Sequence, residues 1–220
     1  MLEKRRWLTL LGMVAGLAVL LPPAGTLARH YVFAQALQFA VLATVTPALI
    51  VLGSPGRGTW WRPAIAWLTP VGFIAIAVGW RLPVAVNALV RYPVLTLLEA
   101  ATLIGAGCLL WRELVESRSP RGAAFAALPM WVIWASAYIM AFSHTVWFTA
   151  FAHRPGSGLG VVVDQQIAAG LLWAIPGLCF VPVVYVSLIT WLRDTSDSDV
   201  SDPAVPLVPR PPRGWRLNRY

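Results

Sequence analysis

The stretch Tyr31–Leu52, YVFAQALQFAVLATVTPALIVL, contains no charged residue. About 20 apolar residues at a rise of 1.5 Å each span the ~30 Å hydrocarbon core of a bilayer, so this segment reads as a transmembrane helix. Working outward from it, five more apolar segments stand between polar connections: Trp7–Leu21, Pro63–Trp80, Pro93–Trp111, Ala123–Phe142 and Gln165–Leu192. The composition agrees, with 58% hydrophobic and 12% charged residues, where soluble domains carry about a quarter charged. The alternating ~10-residue pattern of a membrane β-barrel is missing. The sequence therefore predicts an all-α, polytopic transmembrane helical bundle of about six spans over residues 1–194. A tail follows over 195–220.

The net charge of +8 raises nucleic acid as a partner, but its placement argues for a membrane. Lys4, Arg5, Arg6, Arg57, Arg62, Arg112, Arg118, Arg121, Arg193, Arg210, Arg213, Arg216 and Arg219 fall on one set of connections. Arg29, Arg81, Arg91 and Arg154 fall on the other, which divides the 17 basic residues 13 to 4. Basic loops stay in the cytoplasm, which predicts cytoplasmic termini and no nucleic-acid role. Trp7, Trp60, Trp61, Trp80, Trp111, Trp147 and Trp191 lie near span ends, the depth amphipathic indoles favour.

The basic start and apolar run of Met1–Leu21 resemble a signal peptide, but the run ends in Leu21-Pro22-Pro23-Ala24-Gly25 with only a weak cleavage pattern, so a retained first helix is expected. Gly12 and Gly16 would let another helix approach closely. Pro47, Pro70, Pro129, Pro176 and Pro182 lie within spans and each tends to kink its helix. Leu82–Arg91 suits a short interfacial helix. Cys108 and Cys179 lie in apolar runs and make no disulfide framework. The tail is acidic, then rich in Pro and Arg; it is expected to be disordered or to lie along a partner.

HExxH, P-loop, GxSxG and CxxC patterns are missing, so no soluble-enzyme chemistry is indicated. The informative residues are polar groups in apolar surroundings. Glu99 is the one acidic residue deep in a span, either a ligand or proton-handling group or a hydrogen-bonded packing residue. Gln35 and Gln38, three apart in the second span, suit interhelical hydrogen bonds. Asp164 opens the sixth span as a helix cap, which leaves Gln165 and Gln166 unexplained. His30, His144 and His153 map to the outer side. With Met140 one turn before His144, a copper site at His30, His144 and Met140 is an expectation to be tested.

Three segments resemble the polytopic CtaG-type cytochrome c oxidase assembly factors. Gln35-Ala36-Leu37-Gln38-Phe39 followed by Pro47, Gly53 and Pro55 is similar to the family's His-Met-x-Gln-His, Pro-Pro and Gly-x-Pro pattern. Tyr92-Pro93-Val94-Leu95-Thr96-Leu97-Leu98-Glu99-Ala100 is similar to its His-Pro-x-x-His-x-x-Glu-His. Asp164-Gln165-Gln166 with Trp173 is similar to its Asp-Gln-Gln…Trp segment. Gln38, Pro47, Gly53, Pro55, Pro93 and Glu99 match. Gln35, Phe39, Tyr92, Thr96 and Ala100 stand where the family has histidine, and the family's first helix is lacking. The resemblance implies a non-enzymatic factor of the bacterial cytoplasmic membrane. Its role would be haem-copper oxidase assembly, assisting copper-centre maturation, with oxidase or respiratory-complex subunits as partners. Loss of the histidines implies, alternatively, an accessory subunit that no longer binds metal. A small transporter or membrane enzyme fits less well, since there is one intramembrane carboxylate and no inverted repeat.

Overall fold

The computed structural model describes residues 2–54, 66–116, 120–152 and 160–200. Every regular element among them is a helix. In chain order these are α1 (Leu2–Leu20), α2 (Ala24–Leu27), α3 (Val32–Ala40), a π turn (Val41–Val45), α4 (Thr46–Gly53), α5 (Leu68–Arg81), α6 (Pro83–Arg91), α7 (Leu95–Glu116), α8 (Pro120–Phe142), α9 (Thr149–Ala152) and α10 (Val161–Val200). Four helices are long and apolar enough to cross a membrane: Val32–Gly53, Leu95–Glu116, Arg121–Phe142 and Val161–Arg193. The pair α5 and α6, bent by 63°, makes a fifth if it is one span. The chain is thus an all-helical, multi-pass membrane protein with four or five such spans among the described residues. The apolar part of α1, Arg6–Leu20, is shorter.

The departures from even spans have local causes. Pro83 opens α6 and has no room for a helical residue before it, so Leu82 is extended (φ −61°, ψ 140°) and the chain bends there. The expected short helix at Leu82–Arg91 is present as α6. In the second span Pro47 has no N–H to return to Ala43. The π turn lies just ahead of it, and the N–H of Thr46 reaches back five residues to the carbonyl of Val41. Pro129, Pro176 and Pro182 lie within α8 and α10, which remain helical through them. α10 also continues to Val200, beyond residue 194; the rest of the tail, Pro55, Arg57, Arg62, Arg118, His153 and Arg154 lie outside the described residues.

Small residues set the closest approaches. A Cβ on Gly12 would lie 3.0 Å from Leu49 Cβ, and one on Gly16 would lie 3.2 Å from Thr46 Cγ2, so the glycine pair of α1 seats that helix against α4. A Cβ on Gly107 would lie 2.6 Å from Pro47 Cγ, so α7 crosses where the proline interrupts the second span. The core between the helices is filled by Phe39, Leu42, Leu103, Leu110, Phe125 and Leu172. Trp111 stacks on Phe180 with centroids 5.6 Å apart. Outside, Leu178, Val94 and Val84 are exposed by 78%, 76% and 74%. An apolar exterior of this kind belongs in lipid.

Candidate functional site

The interior contains a guanidinium. Arg81 ends α5 and is only 8% exposed. Its Nη1 donates to Gln35 Oε1 at 2.5 Å, and its Nη2 lies 3.5 Å from the sulfur of Met140. The aromatic rings of Phe39 and Phe148 flank it, with the guanidinium carbon 5.4 and 5.3 Å from their centroids. These are cation–π contacts in a dry setting, where they are strongest. Gln35 is turned so that its Nε2 donates to Glu99 Oε1 at 3.3 Å. One amide therefore bridges the buried cation and the buried carboxylate, and Glu99 is the opposite charge that Arg81 senses. A lone buried charge would be prohibitive, whereas a paired and hydrogen-bonded one is tolerated.

Sequence reasoning placed Arg81 among the outer connections, and the structure corrects this. The apolar run reads as ending at Trp80, but α5 continues through Arg81 before Pro83 forces the bend. A single arginine at a span end is ordinarily taken to reach for the interface. The signal that separates Arg81 from that reading is the Arg-x-Pro spacing, which turns the chain immediately after the side chain. With Arg81 inside, the smaller of the two sets of connection arginines drops from 4 to 3 (Arg29, Arg91 and Arg154).

The other polar positions each mend a broken helix end. Asp164 does not cap its own helix. Its two carboxylate oxygens accept from the N–H groups of Val32 and Phe33, both at 2.8 Å, at the start of α3. Tyr31, the residue at the cap of α3, supplies no side-chain cap of its own, so a carboxylate from α10 does its work and meets the positive end of the helix dipole. Gln165 Oε1 accepts from the N–H of Trp147 at 3.0 Å, and its Nε2 donates to the carbonyl of Thr145 at 3.2 Å. Gln166 Nε2 donates to the carbonyl of Ala141 at 3.4 Å in the last turn of α8. The two consecutive glutamines thus satisfy groups that the end of α8 and the following loop leave open. Gln38 Nε2 donates to the carbonyl of Val19 at 2.8 Å. The helical partner of that carbonyl would be the N–H of residue 23, which is proline.

The profile of the family described as "Cytochrome c oxidase caa3 assembly factor (Caa3_CtaG)" matches residues 2–194. The chain belongs to the cytochrome c oxidase caa3 assembly factor family. No curated protein and no solved structure matches it. In this family member the Asp164-Gln165-Gln166 segment and Glu99, which carry the resemblance, make the bonds just described. Trp173, which completes the third segment, is 55% exposed, stacks on Trp134 at 5.1 Å and accepts the Trp134 indole N–H through its carbonyl at 2.8 Å.

The positions where the resemblance has histidine divide in two. Gln35 and Phe39 both contact Arg81; Thr96 is half-buried, Ala100 buried and Tyr92 exposed. The donor set around Arg81 does not fit copper. Amide oxygen is a poor Cu(I) ligand, and the sulfur of Met140, the one soft donor, already faces a cation. His30 and His144 are exposed, and His30 Nδ1 bonds the carbonyl of Thr26 at 2.7 Å. Met140 is buried and turned to Arg81, so its sulfur is engaged inward while the two imidazoles face out. Among the described residues no group of three His, Cys, Asp or Glu side chains is placed to hold a metal.

Proposed function

We propose that this chain assists assembly of a caa3-type oxidase as a scaffold in the membrane, presenting one rigid end of its bundle to an oxidase subunit during maturation of a copper centre, without carrying the copper itself. The observation that carries this reading is Arg81, a permanent cation seated on Gln35 and Phe39 where a soft-metal site would need neutral donors. The locks at Asp164, Gln165, Gln166 and Gln38 fix the same end. In this reading α1 crosses the membrane despite its length, giving six crossings. Both termini are cytoplasmic, the charge distribution supports this, and the locked end faces the outer side of a bacterial cytoplasmic membrane.

The test is copper content on both sides of the reaction. The purified protein, loaded with Cu(I) under reducing conditions, is expected to hold no more copper than a control membrane protein. Oxidase from cells lacking the chain is expected to be depleted in copper. About one tightly held copper per chain, lost on replacing His30 and His144, overturns the scaffold reading. Stoichiometric retention in the finished oxidase would instead make the chain an accessory subunit.

A further inference from the structure

Beside the Arg81–Gln35–Glu99 chain lies a cavity whose polar wall is made by Gln35, Gln38, Thr96 and Glu99. It offers about 20 Å³ to the centre of a water-sized sphere. Roughly 10–15 Å³ of such space holds one water, provided two to four polar partners are at hand. Leu20, Leu89 and Val90 line its apolar side, and it reaches Arg29, an exposed residue engaged in a contact of its own. Glu99 is 1% exposed in the fold as a whole. Among the described residues, its side chain accepts one bond, from Gln35 to Oε1.

We infer that Glu99 is a proton-exchange site, reached through this cavity by water from the end of the bundle that carries Arg29. The groups around it leave it as the member that changes state. α5 contributes Arg81, whose guanidinium stays protonated in proteins. α3 contributes only the amides Gln35 and Gln38, α6 only Leu89 and Val90, and α1 only Leu20. Arg29 stands at the far end. A hydronium in the cavity gives its proton to the carboxylate oxygen that Gln35 does not hold. One O–H bond of the hydronium breaks, one O–H bond forms on Glu99, and a neutral water remains. Gln35 keeps its bond to Oε1 throughout. Protonation leaves the charge of Arg81 balanced by ring faces and dipoles alone, so the pH of one aqueous phase bears on the grip between α3, α5 and α7. The inference rests on the cavity and the bridge, and stands whether or not the chain assembles an oxidase.

The experiment is infrared spectroscopy of the purified full chain in lipid nanodiscs, titrated with pH. A carboxylic acid C=O band is expected to grow as pH falls, to be lost in Glu99→Gln and to shift in Glu99→Asp. In D₂O the band is expected to shift promptly, and several-fold more slowly when Val90→Trp fills the cavity. Should the Glu99 variants fail to fold, ¹³C-glutamate labelling and D₂O exchange in a Glu113→Gln background, which removes the other buried glutamate of α7, still decide. Absence of any Glu99 acid band across the pH range of the folded protein overturns the inference. So does a band that never exchanges in D₂O.

Discussion

Replacing Arg81 by methionine removes a charge-assisted bond to Gln35, two ring contacts and the counter-charge of Glu99. Breaking a buried pair from one side costs about 3–5 kcal/mol, because the surviving charge is left uncompensated. Glu99→Gln strips the pair from the other side and is expected to cost about the same, ~3–5 kcal/mol. The double variant behaves differently. Gln35 Nε2 still has an oxygen to meet on residue 99, and no unpaired charge remains. Only Gln35 Oε1 loses its donor, a deficit of about 1–3 kcal/mol. The single variants should therefore each melt roughly 6–20 °C below the native protein, at ~2–4 °C per kcal/mol for a chain of this size, and the double variant should recover most of the loss. Cys108 and Cys179 are both half-buried, so a thiol-reactive dye reports unfolding in detergent without added labels. Strictly additive losses in the double variant would refute the coupling of Arg81 and Glu99 through Gln35.

Three further substitutions test the packing and the caps. Gly107→Ala places a methyl against Pro47 and the Ala43 carbonyl and should destabilise by about 1–3 kcal/mol, while Gly105→Ala, with nothing within 4 Å, should melt like the native chain. Gln38→Leu leaves the Val19 carbonyl without its partner; a loss of about 1–3 kcal/mol is expected, with α1 the first segment to become protease-sensitive. Asp164→Ala removes the acceptor from two N–H groups of α3 and should cost about 2 kcal/mol or more, whereas Asp164→Asn, which keeps an acceptor oxygen, should retain part of that stability in the same melting assay.

The long helices were legible because charge-free runs of bilayer length admit few other readings. Tyr31–Leu52 and Val32–Gly53 differ by a residue at each end. The glycine pair in α1 announced a close contact, and the structure supplies its partner in α4. What the sequence could not convey was which broken ends meet. Asp164 reads as the cap of the helix it sits on, because capping is ordinarily local. Its true targets, Val32 and Phe33, lie 132 and 131 residues away in the chain. The pair Gln165-Gln166 has no helix-propensity rationale, and only the position of the α8 end explains it. Arg81 was misplaced for a related reason. Burial of a cation depends on where a carboxylate, an amide and two rings arrive from α7, α3 and the loop before α9, and none of those arrivals is written near Trp80-Arg81-Leu82-Pro83.

The site is best understood through the residue that faces both ways. Gln35 has one acceptor and one donor group on a short side chain, and it spends the acceptor on Arg81 and the donor on Glu99. A neutral histidine at this position could accept and donate as well, but an imidazole that ligates a metal has given up its acceptor. A glutamine at 35 and an arginine at 81 are therefore a matched pair, and phenylalanine at 39 completes it by offering the cation a ring face in place of a lone pair. The three residues lie on α3 and α5 and meet through the Arg81 side chain. Glu99 supplies the opposite charge to that cation, and Asp164 holds the start of α3, on which Gln35 and Phe39 ride, against α10.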